Sequence, residues 1–179
     1  MAEARRALTH VLSRAEPYPV FLTDRLWDVV AANDSGRRLL GLMLGEARMA
    51  RPVNFMRLFL APDELRRHIV NWPAVALAMI HRAGRDLAAA TDAADLQDLW
   101  QGIAADPDVA ALASEGGELP PGSLGEIRFA AQGREIGLIG LVTSFAAPLD
   151  VTLDELRIES FLPADDETDD ILFRMAAPA

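Results

Sequence analysis

The hydrophobic period of this chain changes twice, and that change restricts the fold more than any other feature of the sequence. Residues 20–32 contain short strand-like runs with period-two alternation. Residues 34–114 carry apolar side chains at helical spacing, interrupted by Pro and Gly, and from residue 126 the period of two returns. Strands segregated from helices in this way predict an α+β fold, in which a five-stranded antiparallel sheet has a helical block inserted between strands 2 and 3 and covering one face.

Proline, glycine and capping residues divide the pattern into elements. Strands are predicted at residues 20–23, 27–32, 126–131, 136–146 and 153–162. The link Asp24-Arg25 predicts a hairpin between the first two strands, with Trp27 on the second strand. The fourth strand is almost continuously apolar, which predicts a central strand covered on both faces. The fifth alternates, with Leu156 and Ile158 opposed to Arg157 and Glu159.

Helix boundaries follow from the same residues. A helix is predicted over residues 2–15 and ends before Pro17. Further helices are predicted to start at Asp34 or Ser35, at Pro62, at Asp92, at Pro107 and after Pro163. The helix that starts at Pro62 is expected to kink or split at Pro73 and to end at Gly84.

Charge is unevenly distributed along the chain, and this bears on its partners. The net charge of −10 divides into +4 for residues 1–90 and −14 for residues 91–179. An acidic half of this size argues against binding of a nucleic-acid backbone by the chain itself, because such binding needs a basic surface. The longest charge-free apolar run, residues 136–149, is too short to span a membrane. No secretory signal is predicted near the N-terminus, and a cytoplasmic location is expected.

No spacing typical of a catalytic or metal site occurs. The chain has no cysteine, and its three histidines do not form a metal-binding motif. The serines lack a nucleophile-elbow motif, and no glycine-rich phosphate loop is present. We therefore expect no enzyme activity, no cofactor, no catalytic residues and no metal.

An ordered series of short segments resembles one family. The segments are Asp28–Asn33, Leu39-Leu40-Gly41, Asn54–Pro62, Trp72, Leu99-Trp100, Asp108-Val109 and Gly125. Together they are similar to the ligand-binding domain of MmyB-like bacterial transcription regulators. Two strands, a helical block and three strands is also the element order of PAS-type sensor domains.

The resemblance implies a PAS-like domain at residues 17–179, preceded by a connector helix at residues 1–16. It further implies a regulatory domain with an apolar cavity suited to a fatty acid or similar small-molecule effector. Such domains normally follow an XRE-type helix-turn-helix domain. These residues contain no helix-turn-helix, so DNA contact is expected only through such a separate domain. The apolar stripe of Leu8, Val11 and Leu12 predicts a homodimer.

The candidate ligand-binding residues are mostly large and apolar. They are Asn33, Phe55, Arg57, Phe59, Trp72, Met79, Trp100, Phe129 and Phe145. Arg57 lies among apolar neighbours and is the expected anchor for a carboxylate, unless it forms a structural ion pair with Asp28, Asp34 or Asp63. The same apolar residues would also form a filled core. The alternative is therefore a PAS-like dimerisation or protein-interaction module with a fully packed core and no ligand.

Overall fold

The predicted five-stranded antiparallel sheet is present. The computed structural model describes residues 2–90, 93–116, 125–144 and 156–177. The strands are β1 (Val20–Thr23), β2 (Val29–Ala32), β3 (Glu126–Ala131), β4 (Arg134–Ser144) and β5 (Arg157–Pro163), and they lie in the order β2-β1-β5-β4-β3. The sheet and its element order confirm the predicted α+β class.

Most helices of the described residues come between β2 and β3 in the sequence, as one helical block. The helices are α1 (Ala2–Arg14), α2 (Asp34–Leu44), α3 (Glu46–Met49), α4 (Phe55–Leu60), a 3-10 turn (Leu65–His68), α5 (Trp72–Ala89), α6 (Ala94–Ala104), α7 (Pro107–Glu115) and α8 (Asp166–Ala176). The residues that pack together as the core come from both the block and the sheet. Burial of this apolar surface supplies the main free energy of folding.

Strand pairing defines which face of the sheet carries the core. Ile127 pairs with Leu138 and Phe129 with Ile136, and all four side chains are buried. This helix-facing side continues through Phe161 on β5. On the opposite side Leu141 and Leu162 are exposed. Leu141 and Val142 are about half exposed, so the prediction that β4 is covered on both faces along its whole length is wrong.

The connection between β1 and β2 is longer than predicted. It comprises five residues, and its geometry is set by Asp24, whose carboxylate accepts hydrogen bonds from the N–H groups of Leu26 and Asp28, both at 2.9 Å. Trp27 is not part of the strand: it has a φ of +67° and is 1% exposed. The turn thus directs a large aromatic side chain into the interior.

Helix boundaries differ from the prediction at the cap of α2, at Gly84 and at Pro62, where the structure has a turn followed by the 3-10 segment Leu65–His68. The cap of α2 is Asn33 rather than Asp34 or Ser35. Pro73 splits the predicted helix as expected: α5 begins at Trp72, with Pro73 in its first turn. Gly84 does not end α5, which continues to Ala89. A glycine costs a helix only about 1 kcal/mol, and the ion pair of Asp86 with Arg157 holds the last turn on β5.

Asn33 joins three elements through its side-chain amide. Its Oδ1 accepts from the N–H groups of Val20 and Gly36, both at 2.9 Å, and its Nδ2 donates to the carbonyl of Tyr18 at 2.8 Å. Gly36 is required beside it, since a Cβ there would lie 2.9 Å from the Phe21 ring.

We expect Asn33→Ala to lower the free energy of unfolding by about 2 kcal/mol, because a helix cap is lost and buried polar groups lose their partner.

Urea denaturation measures this loss. Asp34→Ala, at the exposed neighbouring position, is the matched control. Equal midpoints for Asn33→Ala and Asp34→Ala would contradict the assignment of Asn33 as the residue that ties β1 to α2.

Candidate ligand-binding site

A cavity of about 640 Å³ lies between α5 and the helix-facing side of the sheet. Its size falls in the range of roughly 300–1,000 Å³ that is usual for small-molecule sites. The residues from Ala74 to Arg85 form one wall, which at 1.5 Å per residue is about 17 Å long. The cavity is therefore elongated along α5, a shape that suits a chain-like ligand.

Small residues on both walls explain why the space is open. Ala74 and Ala78 line it from α5, and Gly140 lines it from β4, between Leu138 and Val142 on the same side of the strand. Leu138 is fully buried, whereas Val142 is 48% exposed. Close packing along this side of β4 therefore stops at Gly140, which has no side chain.

The middle of the cavity is apolar. Its lining there includes Phe55, Phe59, Val75, Met79, Ile127 and Phe161. The rings of Phe55 and Phe59 meet edge to face, with centroids 5.6 Å apart, and Phe55 packs in the same way on Phe21 at 5.1 Å. Because such contacts fix ring orientation, this wall is formed before any ligand arrives.

Charged residues at the end next to the start of α5 are paired within the chain. Arg128 donates to Glu126 at 2.9 Å and to Glu135 at 3.2 Å, and these contacts raise the pKa of its guanidinium. Asp165 accepts from the N–H of Thr168 at 2.7 Å, which lowers the pKa of this carboxyl. This end therefore offers a ligand little unpaired charge.

A buried ion pair forms the opposite end. Arg82 on α5 donates to Glu159 on β5, with Nη1 3.0 Å from Oε2, and the two side chains are 17% and 5% exposed. The Arg82 guanidinium also stacks on Trp27, with Cζ 4.1 Å from the ring centroid. Thr23 Oγ1 lies 3.4 Å from Glu159. Helix, strand and turn thus meet at one charged cluster.

Two polar groups at this end have no partner within the described residues. Arg85 lines the cavity at an exposed position and pairs with no other side chain there. The indole Nε1 of Trp27 also has no hydrogen-bond partner, but it is fully buried. Arg85 is therefore the donor that a ligand can reach, and a guanidinium at the rim favours ligand oxygen atoms.

The structure brings together three of the predicted site residues, Phe55, Phe59 and Met79, in the cavity lining. Arg57 lies on the exposed side of α4 and is not part of that lining. Asn33 is the helix cap described above. Phe145 lies outside the described residues.

The remaining predicted aromatic residues pack elsewhere. Trp72 donates from Nε1 to the carbonyl of Phe59 at 3.0 Å, and Arg66 stacks on its ring with Cζ 3.7 Å from the centroid. Trp100 is half-buried against the core. Phe129 borders a void of about 10 Å³, which is too small for an organic ligand. The structure thus separates packed core residues from cavity-lining residues, a distinction that the sequence alone could not make.

The polar end of the cavity was not predicted from the sequence. The alternation on β5 predicts that Leu156 and Ile158 lie opposite Arg157 and Glu159, but not which set faces the helices. In the structure Glu159 pairs with Val142 and shares the helix-facing side with Phe161. One signal was present: Arg82 follows Met79 by three residues and therefore lies on the same face of α5. An Arg and a Glu on the core-facing sides of two neighbouring elements indicate a buried pair.

Metal chemistry and membrane insertion find no support in the described ranges. No group of three or more His, Asp or Glu residues there could hold a metal ion. None of the helices described above combines the length and the apolar composition that a bilayer crossing requires.

The family model described as the MmyB-like transcription regulator ligand binding domain matches residues 4–175, which is nearly the whole chain. A search of curated proteins finds no match. This family is a class of regulator domain and not a class of enzyme. The chain therefore belongs to the MmyB-like transcription regulator ligand-binding domain family.

Proposed function

We propose that this domain senses a fatty acid or a similar apolar small molecule, and that the ligand binds in the cavity along α5. The observation that carries the proposal is the combination of an apolar, elongated cavity with an exposed Arg85 at one end, which pairs with no side chain in the described part of the chain. An acyl chain would lie along Phe59, Val75 and Met79, and its carboxylate would meet Arg85. As a regulatory domain it would act on DNA through a separate helix-turn-helix domain, in the cytoplasm and without catalysis.

The charge pattern favours Arg85 over the other guanidinium groups of the cavity. Arg82 and Arg128 already face carboxylates, so a ligand carboxylate would have to displace Glu159 or Glu126. Breaking a buried pair leaves an uncompensated charge, which is strongly unfavourable. Arg85 carries no such cost. Burial of the acyl chain supplies most of the affinity, at roughly 25 cal/mol per Å² of apolar area before association costs.

The alternative of a fully packed interaction module is disfavoured by the cavity itself. Small-molecule sites are typically concave, mostly apolar clefts of roughly 300–1,000 Å³. This cavity is partly open to solvent and, at about 640 Å³, has the size of such a site. Native and denaturing mass spectrometry of the purified domain tests the choice, because a retained small molecule is lost on denaturation.

Filling the cavity should abolish binding of long chains. Ala78 lines the cavity from α5, and we expect Ala78→Phe to weaken binding of palmitate at least tenfold while decanoate loses less, because the added ring shortens the available space. Isothermal titration of delipidated protein measures both affinities. Ala88→Phe, at an exposed position on the same helix, is the control and should bind as the wild type does. Unchanged palmitate binding by Ala78→Phe would place the ligand elsewhere.

Removing the guanidinium of Arg85 should weaken binding of a fatty acid but not binding of its methyl ester. An exposed ion pair is worth up to about 1 kcal/mol, so Arg85→Ala should weaken palmitate binding by about three- to fivefold. Methyl palmitate carries no charge and should be unaffected. Arg57→Ala removes an exposed Arg outside the cavity and is the matched control. An equal loss for acid and ester would show that Arg85 supports the fold and not the head group.

We also propose that the domain is a homodimer that pairs through α1. Val11 is 41% exposed on the apolar stripe of this helix, whose other members are Leu8 and Leu12. Val11→Glu should convert the dimer to a monomer in light scattering at high micromolar concentration, because it places a charge in an apolar interface. Val30→Glu, on a 53% exposed valine of β2, should leave the dimer intact. A monomeric wild type would contradict the proposal.

A further inference from the structure

The segment that leads into α8 borders the end of the cavity that lies opposite Arg85. Ala164 and Asp165 in this segment belong to the cavity lining. The segment is docked on Gly137 of β4: the Ala164 N–H donates to the Gly137 carbonyl at 2.8 Å, and the Gly137 N–H donates to the Thr168 hydroxyl at 3.0 Å. A Cβ at Gly137 would lie 3.2 Å from the Cβ of Ala164, so no free space separates the segment from β4 there.

Helix α8 connects this end of the cavity to Tyr18. Asp165, Asp169 and Phe173 are four residues apart and therefore lie on one stripe of the helix. Asp165 caps the helix by accepting a hydrogen bond from the N–H of Thr168 at 2.7 Å. One turn later Asp169 accepts from the Tyr18 hydroxyl at 3.0 Å, and the ring of Phe173 meets the Tyr18 ring edge to face, with centroids 6.3 Å apart. The same stripe thus contacts the cavity at one end and Tyr18 along the rest.

Tyr18 belongs to the link of residues 15–19 between α1 and β1. Its backbone N–H donates to the carbonyl of Ala15, and its carbonyl accepts from Asn33, the cap of α2. Its hydroxyl is held by Asp169, and this hydrogen bond raises the pKa of Tyr18. A hydrogen bond of this length is lost after a shift of less than about 1 Å. Even a small displacement of α8 relative to α2 therefore acts on the link that positions α1.

We propose that the domain distinguishes long acyl chains from short ones at the segment before α8. A long chain displaces this segment together with α8, breaks the hydrogen bond between Asp169 and Tyr18, and so changes how α1 is held. This inference rests on the proposed function, namely that a fatty acid binds along α5 with its carboxylate at Arg85. Chains that do not reach Ala164 and Asp165 bind without this effect.

The length of the cavity decides which chains reach this segment. Its wall on α5, from Ala74 to Arg85, is about 17 Å long. An extended chain covers roughly 1.2 Å per bond, as a polypeptide does with three bonds per residue, so palmitate spans about 18 Å and decanoate about 11 Å. With the carboxylate at Arg85, palmitate reaches the end of the cavity next to the start of α5, and decanoate stops short of it. Palmitate then favours the displaced state, because only that state has room for the end of its chain.

The ring of Tyr18 reports this displacement. Tyr18 is the single tyrosine of the chain, so tyrosine-selective ¹³C labelling gives one set of ring resonances. Tyr18 lies outside the cavity lining, so a ligand in the cavity does not shift these resonances by direct contact. Delipidated protein is saturated with palmitate or with decanoate, and isothermal titration confirms that each acid is bound.

Two variants calibrate the spectra. Asp169→Ala removes the acceptor and gives the ring resonances of a free Tyr18 hydroxyl. Asp170→Ala, at the exposed neighbouring position, is the matched control and should leave the resonances as in the wild type. Palmitate should move the wild-type resonances at least halfway towards those of Asp169→Ala, whereas decanoate should leave them in place. If Asp169→Ala does not fold, the difference between the two acids in the wild type still decides.

The outcomes separate this inference from the proposed function. If palmitate binds and leaves the Tyr18 resonances unmoved, or if decanoate moves them as far as palmitate does, the inference is overturned while the proposed function stands. If neither acid binds to the delipidated wild type, the proposed function fails and this inference falls with it.

Discussion

The buried ion pair between Arg82 and Glu159 is the interaction on which the site depends. It links α5 to β5, and through the stacked Trp27 it also holds the turn between β1 and β2. Removing one partner of such a pair typically costs about 3–5 kcal/mol, because the other charge stays buried and unpaired. Replacing both by apolar side chains is often neutral for stability. What apolar replacements would not reproduce is the polar lining that Arg82 and Glu159 give to this end of the cavity.

The pair makes this end of the cavity polar, because both side chains belong to the lining. The second pair, Arg157 with Asp86, repeats the link between α5 and β5 one turn further along the helix. Elsewhere the lining contains the rings of Phe55, Phe59 and Phe161, which contact one another edge to face or at a tilt. The cavity is thus bounded by rigid contacts on more than one side.

The sequence predicted local features well, because short-range periodicity determines them. Strands 20–23 and 126–131 were predicted with the bounds that the structure shows, and Pro73 separates two helical segments as expected. Gly84 was misread because its helix is held from outside by Asp86 and Arg157. Hydrophobic periodicity along the chain cannot predict this long-range ion pair.

The site was harder to predict because it depends on pairing between distant strands. Alternation on β5 separates Glu159 from Ile158, but only the register with Val142 shows which of them faces the helices. The sequence also could not separate Phe55 from Phe129, because both are large apolar residues that suit a core and a cavity equally well. In the structure Phe55 lines the cavity, whereas Phe129 borders only a void of about 10 Å³. Arg57 lies among apolar residues in the chain, yet the helical turn directs it outward.

A sensor must be folded both with and without its ligand, and the two ion pairs help to meet this requirement. A domain in which α5 and the sheet were joined only through the ligand would unfold when the ligand dissociated. Here Arg82–Glu159 and Arg157–Asp86 join α5 to β5 independently of any ligand. Binding then adds stability as RT ln(1 + [L]/Kd), about 2.7 kcal/mol at a hundredfold excess over Kd. Because that increment is added to an already folded state, ligand can change which conformation is populated without deciding whether the domain folds.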